Sequence, residues 1–299
     1  MFKVMADWLE QEGLGTMKSA IALQGGDICK TFRVTLDDDS FLCVKERPSE
    51  LTEYDNLLSS EATGLRALRN AQERIENPLR IPEVVAIGEE FLVLEFIQRG
   101  QPDRLSWQRL GRALAELHKL PVPGFGFSCN NFCGSTVQVN TQHKDGYTFY
   151  AECRLHYQKK LAIDNGLLSP QEGESIDYLC DQLPYLIPEQ PPCLLHGDLW
   201  SGNVLFDEKG APVLIDPACY YGWAEADIAM TKLFGGFDEA FYDAYNEINP
   251  LEPDWEERVA IYNIYHLLNH LNLFGISYYP QVMASLTPYT QKRALPRYL

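Results

Sequence analysis

One stretch decides the fold of this 299-residue chain, namely His196-Gly197-Asp198-Leu199-Trp200-Ser201-Gly202-Asn203. It has the pattern H-G-D-x-x-x-x-N, and Ile215-Asp216 follows it after a short apolar run. An acid at position 198 can orient a hydroxyl group and take its proton. Asn203 and Asp216 can offer the hard oxygen ligands that magnesium prefers. The pattern therefore predicts an acceptor hydroxyl bound beside a divalent cation.

Lys45 extends this reading into the N-terminal part of the chain, because it ends the third of three predicted strands. A cation at this place can neutralise the α- and β-phosphates of a nucleotide, and it needs an anion to hold its flexible stem. Glu61, on a helix predicted for residues 52–72, is the first candidate for that anion, and Glu53 is the alternative. Together the two patterns predict a kinase-type phosphotransferase that uses ATP and Mg²⁺, with Asp198 as its catalytic base.

Two further places could contact the nucleotide. Gly25 and Gly26 form a turn two strands before Lys45, where backbone N–H groups could contact phosphates, although the sequence has no full G-x-G-x-x-G and a plain hairpin turn is the alternative. Glu95 and Ile97 end the last predicted strand of this region, and their backbone groups could bind adenine. The alternative there is a sheet edge that simply enters a linker.

Aromatic side chains accompany the central motif. Trp200, Tyr220 and Trp223 fall in predicted loops, so we consider a surface that stacks on a sugar, against the alternative that these rings belong to the core. His196 is interpreted as a buried imidazole that braces its loop, because the acid and the amide already fill the catalytic roles. Asp227 is predicted to brace the loop that follows Asp216.

Local spacing predicts no zinc site. Cys129 and Cys133 are the closest cysteines, but no second ligand pair has suitable spacing. His266 and His270 lie four residues apart without the glutamate of H-E-x-x-H. The eight cysteines include no C-x-x-C pair, and we expect reduced thiols.

The distribution of apolar residues predicts an α+β fold with two lobes, like that of protein kinases. Residues 1–97 are expected to form a small, nucleotide-binding lobe with an antiparallel sheet and one helix, and residues 98–299 a large, mainly helical lobe for catalysis and substrate binding. Ser106 is predicted to cap the first helix of the large lobe. The strand-like runs 204–206 and 213–215 predict a single β-hairpin there.

Composition limits the partners. The net charge is −17 and there is no Lys/Arg cluster, so we expect neither nucleic acid nor an anionic membrane as a partner, whereas small or cationic substrates are compatible. Residues 1–18 carry charges throughout, which is unlike a signal peptide, and no window of 18 uncharged apolar residues exists. A cytoplasmic location is expected. The sequence leaves the oligomeric state open.

Residues 194–203 and 215–222 resemble the fructosamine kinase family, which comprises fructosamine-3-kinases and ketosamine-3-kinases. Residues 125–127, 138–140 and 233–237 also match. Aminoglycoside phosphotransferases and choline kinases share H-G-D-x-x-x-x-N but generally lack the longer string. The resemblance implies ATP- and Mg²⁺-dependent phosphorylation of the sugar 3-hydroxyl of fructosamine or ribulosamine adducts, free or on protein lysines, as a step of deglycation repair.

The same resemblance implies that Asp198 is the base, that Asn203 and Asp216 bind magnesium, and that Lys45 with Glu61 orients the phosphates. Some members of the family carry a redox-sensitive cysteine in the Gly-rich loop. Asp27 occupies that place here, and Cys29 follows two residues later. Two alternatives stay open: an aminoglycoside- or choline-type phosphotransferase, and a catalytically silent nucleotide-binding module.

Overall fold

A five-stranded antiparallel sheet forms the N-terminal part of the protein in the computed structural model, which describes residues 2–23, 28–51 and 56–290. The strand order is β1-β2-β3-β5-β4. The strands are β1 (Met17–Ala22), β2 (Lys30–Leu36), β3 (Phe41–Glu46), β4 (Val84–Ile87) and β5 (Phe91–Glu95). The meander predicted to lead to Lys45 is present.

Helices cover both faces of this sheet. They are α1 (Phe2–Gln11) and α2 (Leu57–Gln72). Side chains alternate along β5, so residues 91 and 93 pack in a cluster with the apolar residues of α1, while residues 92 and 94 pack with those of α2. This central strand is buried on both faces because each face has its own helix.

The sequence had predicted one helix in this region, and α1 makes that prediction wrong. Met5 and Leu9 are its buried residues in the cluster against the sheet, and the half-buried Trp8 packs beside them. Isolated helices of ten residues are marginal in water, so the stability of such a short helix comes from tertiary packing. The helix expected over residues 52–72 is observed from Leu57, and residues 52–55 lie outside the described part of the chain.

The rest of the protein is mainly helical. Its helices are α3 (Arg104–His118), α4 (Gly146–Tyr150), α5 (Tyr157–Asp164), α6 (Pro170–Leu186), α7 (Ala224–Leu233), α8 (Glu239–Ile248), α9 (Trp255–Phe274) and α10 (Tyr279–Thr290). A π-helical segment, Ala151–His156, joins α4 to α5. Helix α3 packs against α8, and α7 packs against α9. None of the helices in the described ranges is both long and apolar enough to span a lipid bilayer.

Three short strand pairs are inserted among these helices. They are β6 (Asn131–Cys133) with β7 (Thr136–Gln138), β8 (Cys193–Leu195) with β11 (Tyr220–Gly222), and β9 (Val204–Phe206) with β10 (Pro212–Leu214). The predicted hairpin is β9–β10, and the prediction of a single strand pair was wrong. Strands of three residues are too short to show an alternating pattern.

The first helix of the large part is capped differently from the prediction. Asp103 is the N-cap of α3, and its carboxylate accepts a hydrogen bond from the Ser106 backbone N–H at 2.7 Å. Ser106 lies three residues further on, and its hydroxyl oxygen accepts from the Asp103 N–H at 3.2 Å to complete a capping box. Both residue types cap helices, so composition alone did not place the helix start. The lobe boundary at residues 97 and 98 remains a prediction.

Candidate active site

The loop that carries Asp198 begins directly after β8 and turns at Gly197. Gly197 has φ +82°, and a Cβ atom there would lie 2.0 Å from the carbonyl oxygen of Ala218. Only glycine combines this left-handed backbone with such a close approach of two chain segments. The Ala218 N–H donates to the His196 carbonyl at 2.9 Å, which links the loop to the segment just after Asp216.

Asp227, in the first turn of α7, is hydrogen-bonded to the same loop. Its carboxylate accepts the backbone N–H groups of His196 at 2.7 Å and of Gly197 at 2.9 Å, and His118 Nε2 lies 3.3 Å away. Burial alone would raise the pKa of Asp227, but the bond and charge of His118, with the loop amides, lower it overall. The prediction that Asp227 braces the loop after Asp216 is therefore corrected, because its direct backbone contacts precede Asp198.

His196 has the bracing contacts expected of it. Its Nε2 lies 2.9 Å from the carbonyl oxygen of Ile215, so this nitrogen carries the proton. Its Nδ1 accepts the backbone N–H of Asp198 at 3.3 Å. The ring is fully buried, and burial lowers its pKa, which keeps the imidazole neutral. A neutral ring with both nitrogens engaged connects the Asp198 loop to the Asp216 segment.

Asp198 and Asn203 are in direct contact. The Asn203 Nδ2 donates to the Asp198 Oδ2 at 2.9 Å and to the Asp198 carbonyl at 2.8 Å. Asn203 is buried, while Asp198 is half-buried. Because the amide nitrogen directs its protons to Asp198, Asn203 can present only its Oδ1 to a cation. The Ile215 N–H donates to the Asn203 carbonyl at 3.1 Å, which places Asp216 next to this pair along the chain.

Lys45 lies between two carboxylates. Its Nζ is 2.6 Å from Glu61 Oε1 and 2.6 Å from Asp216 Oδ1, so the structure joins three residues that are far apart in sequence. The preceding Val44 packs toward α1, and alternation along β3 therefore turns Lys45 toward α2 and Glu61. Burial alone would lower the pKa of Lys45, but the Asp216 and Glu61 carboxylates raise it overall. Lys45 therefore stays a cation.

Gly64 explains how α2 comes so close to the Asp216 segment. A Cβ atom on Gly64 would lie 3.3 Å from Pro217 Cγ and 3.4 Å from Cys219 Sγ. A glycine in a helix interior costs about 1 kcal/mol relative to alanine. Here it permits the contact of helix and loop that brings Glu61 within reach of Lys45.

Of the three aromatic residues proposed to stack on a sugar, only Trp200 is accessible. It is half-buried, and its ring stands 6.0 Å from that of Phe234, beside the Asp198 loop. Tyr220 and Trp223 are 3% and 4% exposed, so their assignment to a stacking surface was wrong. Tyr220 belongs to β11 with its ring 4.0 Å from the Arg154 guanidinium, and Trp223 packs among other aromatic rings.

The structure describes only some of the residues proposed to contact the nucleotide base and phosphates. Gly25 and Gly26, like Asp27 and Glu53, lie outside the described residues. The N–H of Glu95 donates to the Glu83 carbonyl at 2.9 Å, and its carboxylate pairs with Arg80 at 2.6 Å. Any contact of Glu95 with adenine would therefore use its carbonyl, and Ile97 is buried beside it. The adenine contacts remain a prediction.

Cys29 and Cys43 border the Lys45 site as protonated thiols. Burial, with a smaller effect of Glu61, raises the pKa of Cys29 to about 12, and burial raises that of Cys43 to about 11. A thiol is a weak nucleophile because the thiolate is the reactive form. The position of Cys29 therefore does not favour a redox-reactive cysteine.

Comparisons with known proteins agree with this geometry. The family model described as fructosamine kinase matches residues 1–292. The chloroplastic protein-ribulosamine 3-kinase of Arabidopsis thaliana is 38% identical over 294 residues, which are 95% of this chain and 86% of that relative. A crystal structure of a candidate fructosamine-3-kinase from Thermobifida fusca has a TM-score of 0.85 and 29% identity, and the match covers 94% of this chain and 96% of the other.

A more distant solved structure is similar in fold alone. An ADP-bound aminoglycoside phosphotransferase has a TM-score of 0.59 at 16% identity, with 96% of this chain and 97% of the other covered. The fold predicted from the sequence, a small antiparallel-sheet lobe and a large helical lobe like those of protein kinases, is confirmed.

Proposed function

Since the chain belongs to the fructosamine kinase family, we propose that it phosphorylates the sugar 3-hydroxyl of ketosamines, with ATP as the phosphoryl donor. One observation supports this reaction above all others. Three separate segments bring Lys45, Asp198 and Asp216 to one site, with the Asp198 carboxylate in contact with Asn203. A silent nucleotide-binding module would not require an acid positioned for an acceptor hydroxyl.

Each side chain then has a chemical role. Asp198 orients the acceptor hydroxyl and takes its proton as the oxygen bonds to the γ-phosphorus and ADP leaves. Asn203 holds the Asp198 carboxylate in place, and Lys45, supported by Glu61, neutralises the α- and β-phosphates. The Asn203 Oδ1 and the Asp216 carboxylate are the oxygen ligands that suit Mg²⁺, which would neutralise charge on the phosphates.

The substrate and setting follow from the same features. We propose ketosamines whose amine is a free amino acid or a protein lysine, because the chain is strongly acidic and Trp200 offers an accessible ring beside the base. Phosphorylation would make the adduct unstable and so serve deglycation repair. All eight cysteines are free, which suits a reducing compartment, and we propose the cytoplasm.

A substrate panel tests the proposal. Purified full-length protein with ATP and Mg²⁺ is given ribulosyl-lysine, fructosyl-lysine, kanamycin or choline, and ADP release is measured. We expect turnover with one or both ketosamines, a product phosphorylated at the 3-position by NMR, and loss of turnover in Asp198→Asn with an unchanged Tm. Turnover of choline or kanamycin alone would contradict the proposal, and so would full activity of Asp198→Asn.

A further inference from the structure

Three potential metal ligands from distant parts of the chain meet beside the proposed base. They are Cys133 at the end of β6, Asp198 in the loop after β8, and His266 in the middle of α9. One ligand atom from each lies within 4.8 Å of the others. Neighbours in sequence offer no zinc-ligand spacing, whereas the fold brings together one cysteine and one histidine that are 133 residues apart, with an acid beside them.

His266 is the second observation that indicates a ligand. The side chain is 4% exposed, and its Nδ1 is buried without a hydrogen-bond partner among the described residues. Buried polar atoms are nearly always satisfied in folded proteins. Burial, together with nearby His270, lowers the pKa of His266 to about 3, so the ring is neutral and has a lone pair to donate. A neutral imidazole is the form that binds metal ions.

We propose that Cys133, Asp198 and His266 form a binding site for Zn²⁺, and that zinc bound there inhibits the enzyme. One thiolate, one carboxylate and one neutral imidazole balance the charge of a divalent ion. On binding, the Cys133 thiol loses its proton to solvent as the sulfur–zinc bond forms, and a water molecule completes a tetrahedral set.

The ligand types separate this site from the magnesium site. Sulfur and nitrogen donors select zinc, whereas the all-oxygen pair of Asn203 and Asp216 suits magnesium. Tetrahedral zinc holds its ligand atoms about 3.5 Å apart. The three ligand atoms lie within 4.8 Å of one another, so zinc binding would bring them together by at most about 1.3 Å. Inhibition follows because a zinc-bound Asp198 carboxylate cannot accept the proton of the substrate hydroxyl, and this consequence rests on the proposed function.

Cobalt titration tests the site without any activity measurement. Co²⁺ added to the nucleotide-free full-length protein should give a thiolate charge-transfer band and tetrahedral visible bands at one equivalent, and Zn²⁺ should displace them. Cys133→Ser should abolish the charge-transfer band, and His266→Gln should weaken cobalt binding at least tenfold. Cys129→Ser, at an exposed cysteine, and His156→Gln, at a half-buried histidine beside Asp177, are controls that should keep the wild-type spectrum.

If the wild-type protein shows no thiolate band, the proposed zinc site is wrong, whether or not the variants fold. A thiolate band that persists in Cys133→Ser would also contradict the site.

The inhibitory effect is measured separately. Zinc should inhibit the wild type, and Cys133→Ser should need at least tenfold more zinc for half-inhibition. If cobalt binds as expected in an active enzyme but zinc does not inhibit it, the inhibitory part of the proposal is wrong. An enzyme inactive toward every ketosamine, with the cobalt spectrum intact, would contradict the proposed function and leave the metal site standing.

Discussion

Lys45 shows how one residue connects the sheet to the segment that carries Asp216. Its buried ammonium contacts both Glu61 and Asp216 at 2.6 Å, so its loss leaves two carboxylates without their shared cation. We expect Lys45→Met to lower kcat/KM by roughly 10²–10³-fold, because a preorganised charge on the phosphates is removed. Steady-state kinetics with varied ATP would measure the change.

A second lysine of the same sheet provides the control for this variant. Lys18 on β1 is exposed, and among the residues that the structure describes its ion pair is with the exposed Asp39. Surface pairs of this kind contribute little to stability, so Lys18→Met should retain wild-type kinetics. Equal kinetic losses in the two variants would contradict a specific role for Lys45.

The two tryptophans near the motif should respond differently to truncation. Trp200 is half-buried beside the base, whereas Trp223 is 4% exposed within an aromatic cluster. Trp200→Ala is expected to raise the KM for the ketosamine about tenfold with little change in Tm. Trp223→Ala should lower the free energy of unfolding by about 3–5 kcal/mol, since it leaves a cavity. Thermal denaturation and kinetics on both variants check the assignment, and a larger KM effect in Trp223→Ala would reverse it.

Residue types and spacing were enough to single out Asp198, Asn203 and Lys45, because the chemistry of these groups depends on identity and local order. Their catalytic roles remain predictions. The same reasoning assigned Tyr220 to the substrate surface incorrectly. A tyrosine after a loop-like D-P-A segment can face either way, and the direction is set by β11, which pairs with β8 25 residues earlier, Tyr220 opposite Leu195. The sequence around Tyr220 does not indicate that β8 is its pairing partner.

At the level of elements, α7 positions the loop that carries Asp198 through one carboxylate, that of Asp227. Asp227 is 1% exposed and accepts two loop amides, and substitution leaves those N–H groups facing an amide instead of a charge. We expect Asp227→Asn to lower the free energy of unfolding by about 3 kcal/mol and kcat by at least tenfold. Urea unfolding and kinetics would measure both. Asp243→Asn, on the exposed face of α8, is the control and should change neither.

The stabilising effect of Asp227 should depend on pH. Its pKa in the folded protein lies below the ordinary value of 3.8, so the folded state favours the charged form. The contribution is therefore fully present above about pH 5 and is lost as the pH falls below 3.8 through the lowered pKa. The difference in stability between wild type and Asp227→Asn should shrink across that range. A difference that grows on acidification would contradict the assignment.

Most of the longer elements were predictable, whereas most of the three-residue strands were not. Helix α9 was predicted over its full length, residues 255–274, because twenty residues rich in apolar side chains and free of Gly and Pro are too long for a strand. The three-residue strands β6, β7, β8 and β11 were missed, since their pairing is set by the helices around them. The predicted cap at Ser106 was three residues late because Asp103 competes with it chemically. In each case the position of the element depends on contacts with residues distant in sequence, which local patterns do not reveal.

At the scale of the whole molecule, Arg80 links the N-terminal sheet to the β9–β10 hairpin. Its guanidinium contacts Glu95 at 2.6 Å and Asp207 at 2.7 Å. Its backbone N–H donates to Pro212, and its carbonyl accepts from Leu214. Strand β10, which leads to Asp216, is thus fixed to the segment before β4. We expect the relative position of the proposed ATP and acceptor sites to depend on this connection and on the segment after residue 97.

The segment after the predicted lobe boundary contacts the β9–β10 hairpin at Gly100. Its N–H donates to the Phe206 carbonyl at 2.7 Å, and a Cβ atom there would lie 2.3 Å from the Asp207 carbonyl oxygen. Both neighbours are backbone, so Gly100→Ala must shift this segment or β9, and β9 begins one residue after Asn203. A displacement near 1 Å can cost about 10²-fold in rate. We expect kcat/KM for ATP to fall at least tenfold and Tm to fall by several degrees, as measured by kinetics and thermal unfolding.

Gln101→Ala changes an exposed neighbour in the same segment and should leave both kcat/KM and Tm unchanged. A folded Gly100→Ala protein with wild-type kinetics would show that lobe alignment does not depend on this contact.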